Sequence, residues 1–177
     1  MDHDRAEFVA PPLPQGAPSH RVRGVPLDVF HPPREGRRIA PYEVLVVESD
    51  PLDRGLLERA LEEVWLTGKY RVVTSAREAL RSLRDDGPPR LVLLDQGLPG
   101  REAETILSEA KAEAALRTVP IVVLADRPSA ADLARAYGLG AATCFAKPRT
   151  LEGVRDLVEM LVFYWFLIAR VPARPEV

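Results

Sequence analysis

Cysteine and histidine are scarce in this sequence of 177 residues. Its one cysteine is Cys144, and its three histidines are His3, His20 and His31. A single cysteine excludes an internal disulfide and any zinc or iron–sulfur site built from several cysteines. It is also typical of a reducing cytoplasm, where we expect the protein to reside. Because no histidine follows residue 31, a catalytic triad that contains histidine is excluded from the rest of the chain.

A strong charge of one sign and a membrane-length apolar run are also missing. The formal net charge is −2, which disfavours a strongly basic nucleic-acid-binding protein. The one long apolar run, residues 160–169, is too short for a bilayer, since a spanning helix needs roughly 20 apolar residues. The polar N-terminus does not have the pattern of a signal peptide. We therefore expect neither nucleic acid nor a membrane among the partners.

Proline divides the chain into segments. Eight of the seventeen prolines fall within residues 1–41, and at that density neither a helix nor a strand is expected. We predict an extended or partly disordered N-terminal extension over 1–41, a folded domain over 42–171 and a short tail over 172–177. An alternative for the extension is an arm that docks through its apolar residues, which are Val22, Val25, Leu27, Val29 and Phe30.

From residue 42 onward, short apolar runs alternate with helix-like segments. The runs are 44–47, 71–74, 91–94, 121–124 and 143–146, and the helical segments are 51–66, 75–85, 101–115, 129–138 and 150–169. Runs rich in valine and leucine are typical of buried parallel strands. The alternation therefore predicts an α/β, doubly wound, five-stranded parallel sheet with helices on both faces.

Charged residues follow three of the predicted strands. Glu48, Ser49 and Asp50 follow the first, Asp95 ends the third, and Lys147 follows the fifth. In open α/β sheets the functional residues gather at the carboxyl ends of the strands. Carboxylates suit Mg²⁺, and a lysine can pair with a carboxylate or a phosphoryl group. Helix capping is the alternative for each acid, and it is the better interpretation for Asp50.

Residues 42–169 resemble the receiver domain of bacterial response regulators. The segments that carry the resemblance are 45–51, 91–100, 122–125, 138–141 and 147–148. The resemblance implies a flavodoxin-like sheet of order 2-1-3-4-5 and a phosphoacceptor role for Asp95. It also implies that Lys147 contacts the phosphoryl group and that the prolyl peptide bond after Lys147 is cis. The implied Mg²⁺ ligands are Glu48, Asp50, Asp95 and the carbonyl of Gly97.

The sequence departs from this family at four places. Ser49 stands where the family has a second acid, so we expect weak Mg²⁺ binding. Ala125 stands in place of a hydroxyl residue and Cys144 in place of an aromatic residue, and both are switch positions. The loop after Asp95 is about two residues shorter than usual. An enzyme on the same fold is disfavoured, because Gly97 occupies the place of the second acid of a haloacid-dehalogenase-type phosphohydrolase.

Two interpretations of the function remain open. In the first, the protein is a single-domain response regulator of a two-component phosphorelay, accepts a phosphoryl group on Asp95 and signals through protein contacts. In the second, it is a degenerate pseudo-receiver that acts as a phosphorylation-independent adaptor. Neither is an enzyme. The expected partner in the first is a sensor histidine kinase, with a bacterial phytochrome among the candidates.

The last predicted helix is apolar on two faces. The inner stripe is expected to pack on the sheet; it comprises Leu151, Val154, Val158, Leu161, Trp165 and Ile168. The outer face is expected to form a homodimer interface from Phe163, Tyr164, Phe166 and Leu167, because a helix that is apolar all round must be buried all round. This ending is similar to single-domain regulators encoded with bacterial phytochromes. The alternative is that the N-terminal extension covers the outer face.

Overall fold

The computed structural model describes residues 42–64 and 69–169. Strands and helices alternate along these residues, as the sequence predicts. The strands are β1 (Val44–Val47), β2 (Tyr70–Val73), β3 (Leu91–Asp95), β4 (Ile121–Ala125) and β5 (Thr143–Ala146). The helices are α1 (Pro51–Val64), α2 (Ala76–Asp85), α3 (Glu102–Ala112), α4 (Ala130–Gly138) and α5 (Leu151–Val162).

The strands form one parallel sheet in the order β2-β1-β3-β4-β5. The three central strands are buried along their whole length, which explains their uninterrupted apolar runs. Alternate residues of these strands, such as Leu45 and Val92, share a core with α2, α3 and α4. Helices α1 and α5 pack against each other. The predicted fold class and strand order are confirmed.

Polar caps set where the helices begin. The Ser75 side chain accepts a hydrogen bond from Glu78 N, and Ser129 forms a reciprocal capping box with Asp132. Thr150 caps α5 by accepting from Gly153 N. These side chains satisfy N–H groups that lack a partner within the helix. The predicted starts of α2, α4 and α5 therefore fall at or beside the observed ones.

A π-helical turn, Phe163–Ile168, continues α5. Ala169 N donates to Tyr164 O, five residues back, at 2.7 Å. An i→i+5 turn holds more residues than an α-helical turn, so the buried position after Leu161 is Phe166. The Phe166 ring lies 4.5 Å from the Arg90 guanidinium carbon, a cation–π contact.

The wider turn corrects the predicted faces of this segment. Phe166 is only 8% exposed, so its expected place on the outer face is wrong. Ile168 is 53% exposed, so its expected place on the inner stripe is also wrong. Leu167 is half-buried. The exposed apolar residues here, which we name the outer α5 surface, are Met160, Phe163, Tyr164 and Ile168.

The predictions for residues 1–41 and for the tail at 172–177 lie outside the described residues. Within 42–64 and 69–169, no helix has both the length and the apolar character that crossing a membrane requires.

Candidate functional site

Four charged side chains meet at the carboxyl edge of the sheet. The ammonium of Lys147, after β5, lies 2.7 Å from Glu48 Oε2 and 2.7 Å from Asp95 Oδ1. Its third partner is Asp53 Oδ2 at 2.9 Å, from the first turn of α1. The Lys147 side chain is 9% exposed. The predicted convergence of Glu48, Asp95 and Lys147 is therefore present, and Asp53 joins it.

The ammonium of Lys147 lies among three acceptor groups. An ammonium group has three N–H bonds, and three carboxylates surround this one. Burial by itself lowers the pKa of Lys147, but hydrogen bonds to Asp95, Glu48 and Asp53 outweigh it and hold the pKa above its ordinary value. Lys147 is therefore a fixed positive charge at neutral pH, aimed at the carboxylate of Asp95.

Glu48 is fully buried, and both of its oxygens have partners. Oε1 accepts a hydrogen bond from Asp50 N at 2.9 Å, and Oε2 accepts from Lys147 Nζ. Burial raises the pKa of Glu48, and the hydrogen bond from Lys147 acts in the opposite direction. The carboxylate is thereby held in one orientation beneath Lys147.

Asp95 is buried, and the backbone of Gly97 lies close to its carboxylate. Gly97 N donates to Asp95 Oδ1 at 2.9 Å, which fixes the carboxylate within its loop. A Cβ atom at residue 97 would lie only 3.1 Å from Asp95 Oδ2 and 3.3 Å from Oδ1. The glycine therefore leaves room for a group that binds these oxygens. A positioned carboxylate with free space is suited to act as a nucleophile.

Asp50 caps helix α1. Its Oδ1 accepts from Leu52 N at 2.8 Å and from Asp53 N at 3.0 Å. These two backbone hydrogen bonds lower the pKa of Asp50. Among the described residues, no hydrogen bond or ion pair joins Asp50 to Lys147. The capping interpretation is confirmed, and the ligand role of Asp50 stays a prediction.

Asp53 is the site residue that sequence reasoning missed. It lies four residues before Leu57 and eight before Leu61, on the buried stripe of α1. An acid on the inward face of an amphipathic helix needs a buried partner. The position of Asp53 among the apolar residues of this stripe was the signal from which sequence reasoning could have found it. The partner is Lys147, 94 residues away in sequence.

The two switch positions lie on neighbouring strands, Ala125 at the end of β4 and Cys144 within β5. Ala125 ends β4 and is buried, so a methyl group stands where a hydroxyl was expected in the family. Cys144 is half-buried, and its backbone N–H donates to the Tyr137 hydroxyl at 3.3 Å. Burial raises the pKa of the Cys144 thiol, so it stays neutral at physiological pH.

The loop after Asp95 is short and tightly turned. Gly100 has φ of 58° and Arg101 has φ of 65°, so two successive residues are left-handed just before α3. Glu102, the first residue of α3, accepts a hydrogen bond from Ala76 N at 2.7 Å. The shortened loop is thereby tied to the start of α2.

The expected cis peptide bond after Lys147 is wrong, since no cis bond occurs in the described residues. The trans form is the ordinary preference of a prolyl bond, by about 0.5–1 kcal/mol. With the trans bond, Lys147 N donates to Ala125 O at 2.8 Å and Nζ keeps all three carboxylates.

The donor chemistry of the site fits a hard divalent cation. Three carboxylates and one ammonium leave a formal charge of −2, and Gly97 leaves space beside Asp95. Within the described residues, no three side chains of the types His, Cys, Asp or Glu are arranged as a metal site, and the ammonium of Lys147 contacts all three carboxylates. Glu48, Asp95 and the carbonyl of Gly97 are the residues that would hold the ion.

The fold, the buried aspartate and the lysine agree with one known family. Its model, the response regulator receiver domain, matches residues 44–159. The chain belongs to this family. Receiver domains are signalling proteins in which phosphorylation on aspartate is the norm, and this receiver is a response regulator of the two-component type.

Its relatives include regulators linked to phytochromes. The receiver is 34% identical over 137 residues to the probable methanogenesis regulatory protein FilR2 of Methanothrix harundinacea, covering 75% of this chain and 88% of that protein. It is 25% identical to response regulator Rcp1 of Synechocystis, covering 75% of this chain and 95% of Rcp1. The phosphorylated cyanobacterial phytochrome response regulator RcpA matches with a TM-score of 0.68 at 26% identity, covering 75% and 99%. A crystal structure of Rcp1 is a Mn²⁺-bound form.

Proposed function

We propose that this receiver accepts a phosphoryl group on Asp95 and signals through protein–protein contacts. The observation that carries the proposal is the 2.7 Å contact between Lys147 Nζ and the buried Asp95 Oδ1, beside a glycine whose missing side chain avoids crowding the carboxylate. A buried, oriented carboxylate next to a fixed positive charge is the arrangement that phosphoryl transfer needs.

In the transfer step, a carboxylate oxygen of Asp95 forms a bond to phosphorus. The bond between phosphorus and the imidazole nitrogen of a kinase phosphohistidine breaks, and its electron pair stays on that nitrogen. The product is an acyl phosphate on Asp95. Lys147 already points at this carboxylate, so it can donate to a phosphoryl oxygen without a large rearrangement.

Mg²⁺, when bound, would offset the negative charge of the transferred group. The proposed ligands are Glu48, Asp95 and the carbonyl of Gly97, and Asp50 is the fourth residue predicted from the sequence. The Mn²⁺-bound form of Rcp1 supports divalent-cation binding by this receiver. Binding should be weak, because Ser49 is neutral where the family has an acid.

The second candidate function is a pseudo-receiver adaptor that works without phosphorylation. The buried methyl of Ala125 favours it, since no hydroxyl at that position can move toward a phosphoryl group. Cys144 likewise supplies no aromatic ring at the other switch position. This candidate predicts the same partner binding whether or not Asp95 is modified.

The proposed partners are a sensor histidine kinase and a second copy of the chain. The likeness to RcpA and Rcp1 supports a bacterial phytochrome as one kinase of this kind. The outer α5 surface supports the homodimer, because exposed apolar patches usually mark interfaces. We propose that the protein is cytoplasmic. We do not propose nucleic acid or a membrane as a partner.

Labelling by a small phosphodonor tests the first function against the second. Acetyl phosphate with Mg²⁺ should modify the wild type and leave Asp95→Asn unmodified. An unmodified wild type would favour the pseudo-receiver.

A further inference from the structure

Residue 49 is a serine, where the family has an acid. An acid that contacts the site, Asp53, lies four residues further on, about one helical turn. Asp53 Oδ2 is 2.9 Å from Lys147 Nζ, and the same nitrogen is 2.7 Å from Asp95 Oδ1. Asp53 is therefore separated from the phosphoacceptor by a single ammonium group. Ser49 is half-buried and carries no charge.

The backbone fixes the direction of Asp53. Asp50 holds the first turn of α1 by accepting hydrogen bonds from Leu52 N and Asp53 N. Leu57, one turn later on the same stripe, is buried, and α1 packs against α5. Asp53 is thus anchored at the inner end of a packed helix rather than on a mobile loop.

The charge of the site depends on Asp53. With it, three carboxylates and one ammonium sum to −2; without it, the sum is −1. Attraction of a divalent cation scales with that charge, and the effect is strongest where water is excluded. Asp50 carries the same charge in the same segment, but it is exposed and its oxygen is engaged by the helix end.

We infer that Asp53 supplies the negative charge that Ser49 lacks, holding Lys147 against Asp95 and strengthening divalent-cation binding. This inference rests on the proposed function, in which the site works with a divalent cation. Asp53 is a positioning residue, since it acts through Lys147 and through the charge of the site. A merely structural ion pair would contribute to stability and leave cation affinity unchanged.

The test is Mg²⁺ titration of the full chain by calorimetry. Asp53→Asn removes the charge and keeps the shape. Asp126→Asn is the matched control, because Asp126 also follows a strand of the sheet, is 56% exposed and is not among the proposed ligands. We expect Asp53→Asn to weaken Mg²⁺ binding about tenfold or more, as changes in residues that support metal ligands do. Asp126→Asn should weaken it by about twofold at most, since an exposed charge is screened by salt.

Relocating the charge gives a second test. The double variant Ser49→Asp with Asp53→Asn keeps the number of acids and moves one to the position that the family uses. We expect it to recover Mg²⁺ affinity to within about threefold of the wild type, because the site again carries its full charge. Thermal unfolding of each variant confirms that the fold is intact.

The outcomes separate this inference from the proposed function. Equal affinity in wild type and Asp53→Asn, or an equal loss in both asparagine variants, would overturn the role of Asp53. Labelling of Asp53→Asn by acetyl phosphate should require a higher Mg²⁺ concentration than labelling of the wild type. No labelling of the wild type would overturn the proposed function itself, whatever the Mg²⁺ affinities show.

Discussion

The ammonium of Lys147 lies 2.7 Å from the carboxylate of Glu48, a fully buried residue 99 positions earlier in the sequence. This ion pair joins the end of β1 to the end of β5 across the top of the sheet. Removal of either partner leaves the other buried without its counter-charge, which is costly. The site and the stability of the domain are therefore linked.

Lys147→Met should destabilise the domain by about 3–5 kcal/mol near neutral pH, because it leaves buried carboxylates without their counter-charge. The loss should shrink at about pH 5 and grow at about pH 8. Burial raises the pKa of Glu48 and the hydrogen bond from Lys147 opposes that rise, so the pKa of Glu48 should rise further without Lys147. A group whose pKa is raised in the folded state contributes less stability as pH rises, so the variant should lose more than the wild type at the higher pH. Urea unfolding at the two pH values measures this.

Arg149→Met is the control for that variant. Arg149 pairs with Asp126 at 3.3 Å, but the side chains are 62% and 56% exposed. Exposed pairs contribute about 0–1 kcal/mol, so this change should have little effect at either pH. Similar losses in both variants would contradict the account of the buried pair.

Phe166→Ala should destabilise the chain by about 3–5 kcal/mol, the usual cost of truncating a buried phenylalanine. Phe166 is buried and stacks on Arg90. Phe163→Ala is the matched control, since Phe163 lies on the outer α5 surface and is partly exposed. Chemical denaturation should show a small change in the free energy of unfolding for Phe163→Ala. A larger loss of stability in Phe163→Ala than in Phe166→Ala would contradict the observed π-helical turn.

Tyr164→Asp should weaken the proposed homodimer. Aromatic residues near the centre of an interface contribute about 2 kcal/mol or more, which corresponds to roughly 30-fold in affinity. Leu52→Asp is the control, because Leu52 is 78% exposed and belongs to α1 rather than to the outer α5 surface. Light scattering after size-exclusion chromatography reports the mass of each. A wild-type monomer at tens of micromolar would exclude the dimer.

Ala125→Thr should strengthen the response to phosphorylation. A hydroxyl that contacts the phosphoryl group stabilises one state more than the other, and only such a difference shifts the equilibrium. Ala125→Val has the same shape without the hydroxyl. Comparing dimer dissociation constants with and without beryllofluoride should show a larger ratio for threonine than for valine. Equal ratios would mean that the missing hydroxyl does not limit switching.

Local patterns in the sequence predict most of the fold. The apolar runs define β1, β3 and β4, and Ser75, Ser129 and Thr150 mark helix starts through their caps. The π-helical turn is different, because an α-helical period assigns Phe166 and Ile168 to the wrong faces. The widened turn places Phe166 against Arg90. A tertiary contact of this kind leaves no periodic pattern in the sequence.

The candidate site is predictable in part. Glu48, Asp95 and Lys147 follow from the rule that strand ends share one edge. Asp53 does not, since it comes from a helix, and its contact with Lys147 depends on how α1 is oriented against the sheet. The trans bond after Lys147 contradicts the family expectation, and nothing in the local sequence distinguishes the two forms.

Intact-mass spectrometry after incubation with acetyl phosphate and Mg²⁺ shows whether Asp95 accepts a phosphoryl group. We expect the wild type to gain one phosphoryl group, peptide mapping to place it on Asp95, and Asp95→Asn to gain none. Omission of Mg²⁺ should suppress the reaction. A wild type that stays unmodified, or a phosphoryl group that persists in Asp95→Asn, would contradict phosphoacceptance at Asp95.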